Sequence, residues 1–103
     1  MVLLSLFKTP KYFKRTLIEY SKKGSSGFEK SKELLEKICV DDQTNCHKYK
    51  KIMFNVYKDI ATEKVIPYAE DVLKKETDIN FSKVLAARYR KLGEDEKARR
   101  LLH

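Results

Sequence analysis

Between Thr44 and Ile60 the apolar residues Cys46, Tyr49, Met53, Val56 and Ile60 recur at steps of three and four, and Ile52 and Tyr57 widen the stripe. This is the period at which side chains share one face of an α-helix, and a face that wide needs a second surface to bury against. The chain therefore needs further helices or a sheet. Only three Gly and two Pro occur in 103 residues, too few turn formers for a many-stranded fold. The remaining segments repeat the helical period: Phe13, Leu17 and Tyr20 after Thr9-Pro10; Phe28, Ser31, Leu35 and Ile38 before Cys39; Val65, Ala69, Val72 and Leu73 around Pro67; and Phe81, Val84, Leu85, Tyr89 and Leu92 before Gly93. The expected fold is an all-α, single-domain bundle of five or six helices over residues 1–103, with its long central helix kinked or broken near Pro67.

Boundaries follow from local chemistry. Thr9 offers an N-cap, and Pro10 at the first helical position loses no hydrogen bond. Residues 22–27, KKGSSG, read as a flexible loop, and Ser26 to Glu29 fits a capping box opening a short second helix. Val40 to Asn45 is rich in side chains that compete with helical backbone bonding, which predicts a tight connection. Pro67 lacks an N–H and crowds the preceding turn, so it should kink the chain or restart it. A further break is expected at Thr77 to Asn80. Glu94, Asp95 and Glu96 then place acids at the positive end of a last helix, with Arg99 and Arg100 near its negative end.

In the closing stretch, Leu85, Ala86, Tyr89, Gly93 and Ala98 fall at a spacing similar to that of the tetratricopeptide repeat, in which a turn glycine and small residues let two helices pack closely. The resemblance covers about Phe81 to Leu102. A step back of ~34 residues, the period of that family, meets Lys51, Ile52, Asn55 and Asp59 instead. The stretch therefore reads as one helical hairpin built on the same turn chemistry.

Charge narrows the function. The net charge is +8, and residues 1–58 hold thirteen Lys/Arg against six Asp/Glu, whereas the remainder is nearly balanced. Such a field attracts polyanions. Three segments interleave cations with aromatics: KTPKYFKR, HKYKK and RYRK. Lys11, Lys14, Arg15, Lys48, Lys50 and Lys51 are the candidate nucleic-acid contacts, on condition that they converge on one face, whereas Phe13, Tyr49 and Tyr89 belong to apolar stripes and are expected in the core. The expected activity is that of a small, basic, non-enzymatic binding protein that contacts nucleic-acid phosphates. The alternative is a helical protein–protein adaptor or assembly subunit, as a homodimer or with another protein. It would use the apolar start MVLLSLF, in which Leu3, Leu4, Leu6 and Phe7 would make the contact.

Other chemistry finds little footing. There is no glycine-rich phosphate loop, nucleophile elbow or carboxylate pair in an apolar setting, so no enzyme and no cofactor are expected. Cys39, Cys46 and His47 fall short of the four ligands of a structural zinc site, even with the terminal His103 in view. Cys39 and Cys46 flank a short connection and form a candidate disulfide. MVLLSLF is too short to span a bilayer and lacks the basic start of a secretory signal, which predicts a soluble, cytoplasmic protein. Abundant Lys and Glu with a single Gln, Gln43, is a balance common in proteins from hot environments.

Overall fold

The computed structural model describes residues 9–102, and these form six α-helices without a strand: α1 Pro10–Ser21, α2 Ser25–Asp41, α3 Cys46–Tyr57, α4 Thr62–Lys75, α5 Ile79–Lys91 and α6 Asp95–Leu102. A single 3-10 turn, Gln43–Asn45, sits between α2 and α3. No helix among the described residues is long and apolar enough to cross a membrane. Leu3, Leu4, Leu6, Phe7 and His103 lie outside the described residues.

The helices pair as three consecutive antiparallel hairpins, α1/α2, α3/α4 and α5/α6, and the hairpins stand side by side. Register shows the direction of each. Phe13 meets Tyr49 edge-on, ring centroids 5.1 Å apart, near the start of α1 and α3, and Tyr20 acts electrostatically on Tyr57 at their ends, so these two helices run parallel. Lys51 reaches Asp78, Phe54 meets Phe81 at 5.2 Å and Asp59 pairs with Arg88, so α5 runs parallel to α3. In the second row, Lys64 of α4 lies over the Phe28 ring of α2, and Glu70 of α4 shares a hollow with Lys97, Arg100 and Leu101 of α6. The shortest dimension of the molecule is 18 Å, two helices thick at ~10 Å each.

The hairpins explain why a fixed step along the sequence finds no repeat. From α1 to α3 the equivalent positions are 36 residues apart, as in Phe13 and Tyr49. From α3 to α5 the separation is 27, as in Lys51 and Asp78. Each hairpin buries its apolar faces against the next, yet unequal helix and loop lengths erase the periodicity.

The expected stripes supply most of the core: Phe13 and Leu17; Phe28, Leu35 and Ile38; Tyr49, Met53 and Tyr57; Val65, Ala69 and Val72; and Phe81, Leu85 and Tyr89. Phe54 and Ile66, outside those stripes, are buried with them, as are Ala86 and Ala98 of the closing hairpin. Ser31 is the buried polar residue of this set, and its hydroxyl shares a 2.7 Å hydrogen bond with the Tyr57 phenol, which satisfies both groups where water cannot reach them. Burial raises the Tyr57 pKa, and Phe28 packs edge-on against the same ring.

Three expectations about boundaries need correction. The connection at residues 22–27 is confined to Lys22, Lys23 and Gly24, because α2 already begins at Ser25 and runs for 17 residues. The capping box does not form: Gly24 takes the N-cap position, and the Ser26 hydroxyl donates to the Lys23 carbonyl. Gly27 is helical and buried, with its missing side chain replaced by the Tyr20 carbonyl of α1; a Cβ there would lie 1.7 Å from that oxygen. The central break is near Pro67 but precedes it, at Lys58–Ala61. The Thr62 hydroxyl binds the free Lys58 carbonyl at 2.6 Å, and Asp59 is held by Arg88. Ile60 is consequently 59% exposed rather than part of the apolar stripe. Pro67 lies within α4 on its exposed side, in the second helical turn rather than the first. The carbonyl it leaves without a partner, that of Glu63, belongs to an exposed residue open to water.

The later boundaries follow the sequence closely. Asp78 caps α5 by accepting from the Phe81 N–H at 3.0 Å. At the far end Gly93, with φ 79°, closes α5: its own N–H binds the Arg90 carbonyl, and the Glu94 N–H binds that of Tyr89. This is the Schellman pattern, and it turns the chain so that Ala98 packs in the core.

Cys39 and Cys46 are joined as a disulfide, their Cα atoms 4.7 Å apart. The bond links the last turn of α2 to the first residue of α3, so it holds the first hairpin to the second. Both sulfurs are thereby withdrawn from metal ligation as thiolates.

Candidate nucleic-acid interface

The six candidate cations separate into two groups. Lys50 and Lys51 face other helices. Lys50 forms a 2.7 Å ion pair with Asp71 of α4, and Lys51 binds Glu76 at 2.9 Å and Asp78 at 2.7 Å while its ammonium lies over the Phe81 ring at 5.4 Å. These are links from α3 to α4 and to the α4–α5 connection. The carboxylate partners raise the Lys51 pKa, and the paired lysines hold Asp71 and Asp78 below the usual aspartate range. Cations already neutralised in this way have little charge left for a polyanion.

Lys11, Lys14, Arg15 and Lys48 are exposed, and none of them forms an ion pair among the described residues. Lys11, Lys14 and Arg15 lie within two turns of α1, opposite the face that buries Phe13 and Leu17. The only acid of α1 is Glu19, which is bound to Lys22 at 2.9 Å. Lys48 precedes Tyr49, the ring that meets Phe13, so the parallel register sets Lys48 in α3 beside the first turn of α1. The first-half charge thus gathers on α1 and the start of α3. The end of α1 next to this cluster also carries the positive end of the helix dipole.

The aromatic at this surface is Tyr12. It is 47% exposed, and the Arg15 guanidinium lies over its ring at 5.8 Å. Ile18, one turn beyond Arg15, is also exposed. Phe13, Tyr49 and Tyr89 are buried as expected. Composition of the segment KTPKYFKR could not separate Tyr12 from Phe13, but helical phase does: Phe13 and Leu17 are four apart and point inward, which turns Tyr12 and Arg15 outward.

A second concavity lies where the α1–α2 and α3–α4 turns meet. It has a volume of about 370 Å³ and is lined by Gly24, Ser25, Phe28, Tyr57, Ile60 and Ala61, with Thr62, Glu63 and Lys64 at its edge. Its walls are largely apolar, and the Lys64 ammonium is already drawn over Phe28. It offers a shape for an apolar side chain.

No protein-family model, curated protein or solved structure matches the chain. The chemistry of its surface is therefore the basis for assigning a function.

The ion pairs around Lys50 and Lys51 carry a pH dependence. Because the folded pKa values of Asp71 and Asp78 are depressed, these carboxylates stabilise the fold fully above the unfolded value, and that contribution is lost as pH falls through the folded values, below about pH 4. Urea unfolding should show a lower midpoint at about pH 3 than at about pH 6. Lys51→Met should lower the midpoint at neutral pH and flatten its acid decline, since Asp78 would then titrate nearer its unfolded value. An unchanged acid decline in that variant would show that Lys51 does not set the Asp78 pKa.

Proposed function

We infer that the chain is a small, basic, non-enzymatic binding protein that holds nucleic-acid phosphates on α1. One observation carries this reading: Lys11, Lys14 and Arg15 share the solvent face of one helix and form no ion pair among the described residues, while Lys50 and Lys51 are neutralised by acids of α4 and the α4–α5 connection. Unpaired cations on a surface facing a phosphate chain gain from the release of the counterions condensed on it, and each contact adds to the salt dependence of binding. The hairpin stack supplies a rigid mount, because α1 is anchored by Phe13 and Leu17 and its one acid, Glu19, is held by Lys22. Lys48 extends the footprint onto α3. Phosphate contacts position a protein without reading sequence, so binding should be largely independent of base sequence.

The test is binding of the purified chain to labelled nucleic acid of mixed sequence between about 50 and 200 mM salt. With three to four phosphate contacts, log K should fall with log salt at a slope of about −2 to −4. Absence of binding at about 50 mM salt would overturn the reading.

The pocket at Phe28 and Ile60 favours a second reading, in which the hairpin stack is an adaptor for a protein segment. Apolar docking there would persist at high salt and would be lost in Ile60→Glu.

A further inference from the structure

We propose that the α1 face is a site for single-stranded nucleic acid, with Tyr12 as the platform on which an unpaired base stacks; this rests on the polyanion reading above and specifies its ligand. Two observations carry it. Tyr12 is an aromatic ring left 47% exposed in the midst of Lys11, Lys14 and Arg15, which form no ion pair among the described residues, and the Arg15 guanidinium already covers part of it at 5.8 Å. A base laid on the remaining ring surface would place its phosphates toward Lys11 and Lys14, joining stacking to charge neutralisation in one footprint.

The same face is poorly suited to a duplex. In double-stranded nucleic acid the flat surfaces of the bases are occupied by their neighbours, and a ring such as Tyr12 has nothing to stack on. A helix lying in a major groove reads base edges with hydrogen-bonding side chains. Beyond Arg15 this face presents instead Ile18, 41% exposed, and Glu19, whose carboxylate would oppose a phosphate. An extended single strand can set a base or sugar against Ile18 and keep its phosphates on the cationic side. Stacking is tolerant of base identity because every base has a flat face.

The experiment is a fluorescence-anisotropy titration of the full chain against a labelled oligothymidylate of about 20 nucleotides and a mixed duplex of about 20 base pairs. Salt is held at one concentration, and wild type is compared with Tyr12→Ala and Tyr12→Phe. The single strand should bind more tightly than the duplex. Tyr12→Ala should weaken single-strand binding by roughly 5- to 100-fold and leave duplex binding within about 2-fold, whereas Tyr12→Phe should match wild type on both. Far-UV circular dichroism checks that the variants keep their helices, as expected for a side chain outside the core. Equal losses on both ligands, or no loss in Tyr12→Ala, would overturn the stacking role while leaving phosphate binding in place. Absence of binding to either ligand would overturn the polyanion reading itself.

Discussion

Gly27→Ala is expected to cost about 3 kcal/mol or more, at or above the upper end of what overpacking a core costs. A Cβ at Gly27 would sit 1.7 Å from the Tyr20 carbonyl oxygen and 2.7 Å from its carbon. Both are backbone atoms, so relief requires moving the end of α1 away from α2, and with it the packing of Leu17 and Phe28. In a domain with a total stability of about 5–15 kcal/mol, this is a large fraction. Gly24 and Gly93 provide the comparison: each has positive φ, yet a Cβ at either meets nothing within 4 Å. Gly93→Ala, at the left-handed position of the Schellman turn, should cost about 1–2 kcal/mol, and Gly24→Ala, at φ 69° and ψ −139°, about 1–3 kcal/mol. Urea unfolding of the three variants measures the ordering. A Gly27→Ala protein as stable as Gly93→Ala would contradict the close packing of α1 on α2.

Reversing the charge of the α1 face by Lys11→Glu, Lys14→Glu and Arg15→Glu together should weaken nucleic-acid binding by at least about 100-fold near 100 mM salt and reduce the salt slope by about 3. Thermal stability should change little, because these side chains are exposed and form no ion pair among the described residues. The contrast is Lys50→Ala with Lys51→Ala. That pair should lower stability, since Asp71, Glu76 and Asp78 lose their lysine partners on α3, and should alter binding far less. The opposite pattern, with binding lost in the Lys50/Lys51 pair and kept in the α1 reversal, would move the site to α3.

Much of this architecture could be read from spacing alone. The stripes through Phe13, Phe28, Tyr49, Val65 and Phe81 supplied most of the core, Ile60 excepted, because a period of three and four specifies a helix face for as long as the helix continues. Asp78 and Gly93 were legible because their roles depend on nearest neighbours. Gly27 was not: a glycine in a polar run reads as a loop, whereas here it permits contact with a carbonyl seven residues earlier, which only the paired helices reveal. The break at Lys58–Ala61 was hidden for a related reason. It is stabilised from outside, by Arg88 on α5, and contains neither glycine nor proline.

The candidate site was legible in part. Net charge located the basic field in the first half, and helical phase in KTPKYFKR separates Phe13 from Tyr12. The fate of Lys50 and Lys51 depended on acids 21 to 27 residues away, beyond any local pattern. The repeat of hairpins escaped a fixed period because its two steps, 36 and 27 residues, are unequal.

The most direct test of the central claim is an amide chemical-shift map of the chain titrated with oligothymidylate at low salt. The account predicts perturbations concentrated in Lys11 to Glu19 of α1 and at Lys48, with little change in α5 and α6. Perturbations centred instead on Ile60 and Phe28, or on the helices of the third hairpin, would contradict it.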